Sequence, residues 1–343
     1  MRKNQDIRVK LATIAIGLTC LLLPGRYLNA QNKRDSDRML PKETNIELNN
    51  PSNKTLIRIN LPDSLHKMRP SKQLLLVFYA LPNGNSIDWT MGRTIRPGDD
   101  WHFDIQHIAA QTRFVRKIME DRHVVVVYLT NELKSWPAWK KQQPKAPAEI
   151  RRIVDSITGI FSHFRTQTVL SSHSGGGSFV FGYLDAVTQI PRQVSRIVFI
   201  DSDYGYNDTL HTGKLVQWLT RSDKPHLNVL AYNDSVVVYN GKPLVSSTGG
   251  TWYRSRLMLQ QLSKKFRFHQ SENSTFINYH SLSNRIDIRL KTNKEGKIYH
   301  TEQVARNGFI HTLLSGTRYE RSGGYEYWGE RAYDAFILPK NED

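Results

Sequence analysis

Apolar positions along the chain fall into short, nearly unbroken runs. These alternate with longer stretches in which apolar residues recur every three to four positions. Residues 73–80, 123–129, 167–172, 195–200 and 226–232 each read as a strand buried on both faces. Stretches 148–165, 179–187, 214–220 and 251–266 read as helices. So does 101–120, where Asp99 or Asp100 offers an N-cap and Ile105, Ile108, Ala109, Thr112, Val115 and Met119 share a face. Near the start, 45–48 and 55–60 suit two short strands around an Asn/Pro/Ser turn at 49–53. Strands that alternate with helices and are apolar throughout imply an α/β fold: a mainly parallel central sheet with helices on both faces. No internal repeat or long linker interrupts the pattern, so residues 45–343 are expected to form one domain.

At the end of the third of these buried runs the pattern breaks sharply, in Ser172-His173-Ser174-Gly175-Gly176-Gly177. A strand that turns directly into a helix brings two backbones almost into contact. Small residues must flank the apex, and the apex residue is forced into a strained conformation with its side chain exposed. Ser174 occupies that apex. The sequence departs from G-x-S-x-G in its first position, where Ser172 replaces glycine. A phosphate-binding loop would need a Lys-Ser/Thr pair after the glycines, and none follows.

The N-terminus has the layout of a secretory leader. Arg2, Lys3, Arg8 and Lys10 precede an apolar stretch at 11–23, and Leu28-Asn29-Ala30 supplies a small-residue exit. A signal peptide over 1–30, cleaved after Ala30, and a disordered polar stretch over 31–44 are expected, giving a secreted or periplasmic protein. Cys20, the single cysteine, lies inside the leader in a poor context for lipid attachment. The mature chain therefore has no disulfide, thiol nucleophile or thiolate metal site. The apolar stretch is too short to span a bilayer, and stable membrane insertion is not expected. A net charge of +17 draws the protein toward polyanions such as acidic polysaccharide, yet no motif for specific nucleic-acid binding accompanies it.

From residue 73 to about 314 the chain resembles the α/β-hydrolase superfamily. The likeness rests on the Ser172-His173-Ser174-Gly175-Gly176 elbow, the strand–helix alternation and the order of candidate partners. That superfamily places nucleophile, acid and histidine in this order along the chain. The resemblance implies Ser174 as nucleophile and Asp234, past the second strand after the elbow, as acid. Asp203 and Asp201, past the first such strand, are the alternative acids. For the base it implies His311, in a late loop before a short apolar run. His280 and His300 compete, the latter within an apparent hairpin around 293–296. The oxyanion donors would be the backbone N–H groups of Gly175 and, in the loop after the 73–80 strand, Asn85. That loop reads Pro82-Asn83-Gly84-Asn85 and lacks the family's HG-type motif.

His102, Asp104 and His107 are metal-ligand types. On a helix, however, positions 102 and 107 point about 140° apart, which is poor ligand spacing. No metal or cofactor is expected. Trp89, Trp136, Trp139, Tyr325, Tyr327 and Trp328 are candidates for a substrate-facing aromatic wall, and 132–148 and 234–250 for lids. The expected function is an exported serine hydrolase, a carboxylesterase working through an acyl-enzyme on an anionic glycan or other envelope polymer. The alternatives are a peptidase or amidase on the same scaffold, or a non-catalytic binder of acidic polymers.

Overall fold

The computed structural model describes residues 43–339. The leader expected at 1–30, with Cys20 in it, and most of the polar stretch at 31–44 lie outside the described residues. Glu43 is anchored, its carboxylate joined to Arg113 at 2.7 Å and Arg116 at 2.5 Å. The strands are β1 (Thr44–Asn50), β2 (Thr55–Leu61), β3 (Gln73–Ala80), β4 (Arg122–Asn131), β5 (Thr166–His173) and β6 (Val194–Ile200). They continue as β7 (His226–Tyr232), β8 (Val238–Tyr239), β9 (Lys242–Pro243), β10 (His269–Glu272), β11 (Phe276–Ser281) and β12 (Ile286–Lys291). The helices are α1 (Ile87–Met91), α2 (Ile108–Ile118), α3 (Trp136–Gln142), α4 (Ala146–Ile160) and α5 (Gly177–Ala186). After them come α6 (Asp208–Thr220), α7 (Gly250–Ser263), α8 (Glu302–Ala305) and α9 (Gly308–Leu314).

Ten strands form one sheet in the order β1-β2-β4-β3-β5-β6-β7-β12-β11-β10. The six central strands, β4 to β12, are parallel, and antiparallel hairpins extend both edges. Runs such as Val124-Val125-Val126-Val127 are β-branched, favour the pleat and are fully buried, because helices cover both faces. One face carries α4, α5, α6 and α7, whose Ile150, Phe179, Leu184, Trp218 and Met258 share a core with Leu76 and Phe199. The other carries α2 and α9, where Ile108, Val115, Phe309 and Leu313 pack on Val77 and Val198. This is the α/β-hydrolase type of fold that the sequence resembles.

Strand order reverses at β3, with β4 on one side and β5 on the other. In such sheets the loops leaving the carboxyl ends of the strands at this switch open a crevice. The elbow after β5 and the Asn83 loop after β3 both lie there.

The helix expected over 101–120 is broken in two. Asp100 caps a short 3-10 turn, Trp101–Asp104, by accepting the His102 N–H. His107 then adopts a left-handed φ of 48°, and α2 starts afresh at Ile108. Gly92 permits this bend, since a Cβ there would sit 2.6 Å from His107 Nδ1. The hairpin expected around 293–296 is instead a turn following β12. The hairpin itself lies earlier, between β11 and β12. Among the described residues no helix is long and apolar enough to cross a membrane.

Candidate active site

Ser174 has φ of +54°, the left-handed region that costs a non-glycine residue about 1–2 kcal/mol. Close packing on both sides enforces it. A Cβ at Gly176 would lie 2.1 Å from the Ala80 carbonyl oxygen, and one at Gly177 would lie 1.6 Å from that of Ser202. The glycines let the end of β5 nest between the ends of β3 and β6. Ser172 meets the same demand with a hydroxyl that hydrogen-bonds Ser202 Oγ at 2.8 Å. Ser174 is half-buried, and its hydroxyl has no hydrogen-bond partner among the described residues. It opens onto a cleft of about 710 Å³.

The histidine beside the elbow is His300, in the turn after β12. Its ring lies 4.6 Å, centroid to centroid, from that of His173, the residue before the apex. His173 Nε2 also donates to the His300 carbonyl at 3.1 Å. Burial pushes the His173 imidazolium well down in pKa, with the neighbouring His300 adding to the effect, so His173 is a neutral spacer. His300 Nδ1 donates a short hydrogen bond to Asp201 Oδ2. Its Nε2 has no partner among the described residues, and the side chain keeps 25% of its exposure.

Asp201 is fully buried at the carboxyl end of β6, with a left-handed φ of 44°. Its other oxygen accepts a short hydrogen bond from Thr251 Oγ1 at the start of α7. Thr251 also donates its backbone N–H to Asp234 Oδ2 at 2.8 Å. Asp234 is thus a neighbour of the His300–Asp201 pair and not the histidine's partner. Burial, reinforced by the charge on Asp201, raises its pKa to about 6. Asp203 accepts from Ser255 Oγ at 2.8 Å and touches no histidine, and burial raises it well above the usual carboxylate range.

His311 and Asp234 are not brought together, contrary to expectation. His311 sits on α9 with both ring nitrogens engaged, Nε2 by Asp287 at 2.8 Å and Nδ1 by the Tyr325 hydroxyl at 3.1 Å. Asp287 is at the amino end of β12, four residues before Lys291. At about 3.3 Å per residue that is ~13 Å below the carboxyl edge where Ser174 lies. Against the upward push of burial, Arg289 and His311 hold Asp287 ionised. His280 lies beside the same carboxylate, 3.4 Å away. These groups form a buried charge cluster at the opposite end of the sheet.

Asn85 does not present its amide either, because that N–H bonds the Pro82 carbonyl at 3.4 Å across the turn. Gly84 N–H is likewise held by Lys134 at 2.8 Å. Asn83 N–H has no acceptor among the described residues. Its side chain sits against Gly175, where an added Cβ would fall 2.1 Å from Asn83 Oδ1. Asn83 and Gly175 both line the cleft, and neither N–H has an acceptor among the described residues.

His102 is stacked between Trp89 and Trp101, at 4.2 and 3.9 Å, and bonded to Asp100. His107 is buried and bonded to Asp104 at 2.6 Å. Asp104 also takes Arg331 at 2.7 Å, and these residues do not converge on a common point. Trp136 and Trp139 are core residues, 1% exposed, and Tyr325 and Tyr327 pack on His311, so the expected aromatic wall is not one surface. Of the two expected lids, 132–148 contributes Pro137 and Lys140 to the cleft, and 234–250 carries the exposed β8–β9 hairpin.

No protein-family model and no curated protein matches the sequence. Among solved structures the chain is similar to a thermostable esterase, with a TM-score of 0.46 and 11% identity over 81% of this chain and 64% of that one. It is also similar to an IroE-like serine hydrolase from Shewanella oneidensis (TM-score 0.44, 13% identity, 79% of each chain). A third similar structure is a siderophore hydrolase from Aspergillus nidulans (TM-score 0.41, 12% identity, 81% of this chain and 95% of that one).

Proposed function

We propose that the protein is a serine hydrolase that cleaves esters through an acyl-enzyme, with Ser174 as nucleophile, His300 as base and Asp201 as the orienting acid. The observation that carries this reading is the left-handed Ser174 at the switch point, with a hydrogen-bonded His300–Asp201 pair leaning on the residue before it. A serine hydroxyl attacks only when a base removes its proton. Asp201 holds the proton of His300 on Nδ1, which leaves Nε2 as the acceptor. As Ser174 Oγ bonds to the carbonyl carbon, its proton passes to Nε2. The carbonyl oxygen becomes an anion, met by the N–H groups of Gly175 and Asn83, and the imidazolium is stabilised by Asp201. Collapse breaks the bond to the alcohol, which takes the proton from Nε2. Water, deprotonated by the same nitrogen, then releases the acid and restores Ser174.

The leader-like pattern at 1–30 supports export of this activity from the cytoplasm. Without the leader's five basic residues and Asp6 the chain carries 43 Lys+Arg against 30 Asp+Glu, a net charge of +13, which favours an anionic polymer ester as the physiological target. The test is hydrolysis of p-nitrophenyl acetate by the wild type and Ser174→Ala. Turnover lost in the variant supports the reading. Salt-sensitive binding of acidic glycan with no ester turnover in either protein would make the chain a binder instead.

A further inference from the structure

The cleft that holds Ser174 runs along α5 and ends in a group of polar side chains that the proposed chemistry does not use. Asp185, at the far end of α5, accepts a hydrogen bond on Oδ1 from His211 Nε2 at 3.0 Å. The Asn207 N–H donates to His211 Nδ1 at 3.0 Å and so fixes the ring's tautomer, with its hydrogen on Nε2. Asp185 Oδ2 is ion-paired with Lys140, and the two side chains keep 30% and 25% of their exposure. Lys140 Nζ stands 3.6 Å from that oxygen, close enough for attraction but beyond the 2.7–3.2 Å of an N–H···O bond. Both side chains line the same cleft as Ser174 and Gly175, as does Phe181.

An ammonium and a carboxylate oxygen held 3.6 Å apart at the cleft wall can both be bridged by a group that accepts and donates through one atom. A hydroxyl does this. A carboxylate would satisfy Lys140 but face the charge of Asp185, and an ammonium would do the reverse. From Gly177, three residues after the nucleophile, to Asp185 the helix rises about 12 Å, which gives the length scale of this stretch of the cleft.

Resting on the serine hydrolase reading, we propose that the Lys140–Asp185 pair is a specificity subsite for a hydroxyl-bearing moiety. It would select esters in which one half extends about 12 Å from the carbonyl and carries a hydroxyl at its far end, as a polyol, sugar or hydroxylated chain does.

Matched substrates test this: p-nitrophenyl 10-hydroxydecanoate against the decanoate for the acyl half, and 10-hydroxydecyl against decyl acetate for the alcohol half. The wild type should prefer the hydroxylated member of one pair by roughly tenfold in kcat/KM, as expected for a hydrogen bond to charged groups. In Lys140→Met that ratio should fall to about two or below. Equal rates within both pairs, or a preference that survives Lys140→Met, would overturn the subsite while leaving the hydrolase reading intact. Binding of 10-hydroxydecanoate against decanoate to Ser174→Ala, read by calorimetry, measures the subsite without turnover. A tighter hydroxylated ligand there supports the subsite even if the catalytic assignment fails. Indistinguishable affinities, with equal rates in both pairs, would remove it.

Discussion

Replacing Asp201 by asparagine separates the His300 pairing from the Asp234–His311 pairing read from the sequence. Asparagine tolerates the left-handed φ of 44°, and Thr251 Oγ1 can accept from the new amide as it now donates to the carboxylate, so the fold should survive. What disappears is a negative charge in contact with the imidazole that becomes cationic during attack. Two unit charges about 4 Å apart interact by roughly 4 kcal/mol at an effective dielectric constant of 20. At 1.36 kcal/mol per tenfold, that is about a 10³-fold loss in kcat. If the amide turns its NH₂ toward His300, Nδ1 must accept, the ring proton moves to Nε2, and the loss is larger. Steady-state hydrolysis of p-nitrophenyl acetate, with circular dichroism to verify folding, reads the effect. KM should change little, because Asp201 does not touch the ground-state ester. The same assay on Asp234→Asn and His311→Gln should show losses below about tenfold in any variant that folds. An Asp201→Asn enzyme with more than a tenth of wild-type kcat, beside an inactive, folded Asp234→Asn enzyme, would refute the reasoning.

Three further expectations bear on the same architecture. Gly176→Ala should destabilise by about 3 kcal/mol or more, read as a lower urea midpoint, because its Cβ would lie 2.1 Å from the Ala80 carbonyl oxygen and backbone cannot yield cheaply. The folded Asp234 carboxyl keeps its proton to about pH 6 against an ordinary 3.8. The folded state therefore binds that proton more tightly than the unfolded one, and stability from this group is full below about pH 4 and lost as the pH rises through 6. Asp234→Asn should remove that fall, gaining roughly 2–3 kcal/mol on the wild type between pH 4 and pH 7 in denaturant titrations, and an unchanged pH profile would contradict the raised pKa. Finally, a crystal structure of a phosphonate adduct should place the phosphonyl oxygen about 2.7–3.1 Å from the amides of Gly175 and Asn83. An oxygen bonded to the Asn85 amide would restore the original donor.

Local pattern carried the parallel core of this fold. β3, β6 and β7 fall within a residue of their expected bounds, because strands buried on both faces must be continuously apolar and little else in a soluble chain is. The strained turn at Ser174 was legible for a similar reason: only small residues fit where β5 turns into α5. The histidine beside it was not. β12 reads Ile286-Asp287-Ile288-Arg289-Leu290-Lys291, an alternation typical of a half-exposed hairpin strand, yet it pairs in parallel with β7 and buries Asp287. Asp287 is bonded by Arg289, two residues on, and by His311 and Ser315, which lie 24 and 28 residues away and for which sequence spacing gives no signal. Recognising that alternation as the last parallel strand would have placed the next loop, and His300 in it, at the carboxyl edge. Asn83 was passed over for Asn85 because hydrogen bonding inside the turn, Asn85 to Pro82 and Gly84 to Lys134, decides which amide remains available.

The measurement that bears most directly on the central claim is the rate of fluorophosphonate labelling, with the modified peptide located by mass spectrometry, in the wild type, His300→Ala and His311→Ala. The account predicts rapid labelling on Ser174 in the wild type, loss of at least a hundredfold in rate in His300→Ala, and labelling within tenfold of wild type in folded His311→Ala. Labelling that persists without His300 and vanishes without His311, or that lands on a serine other than Ser174, would contradict it.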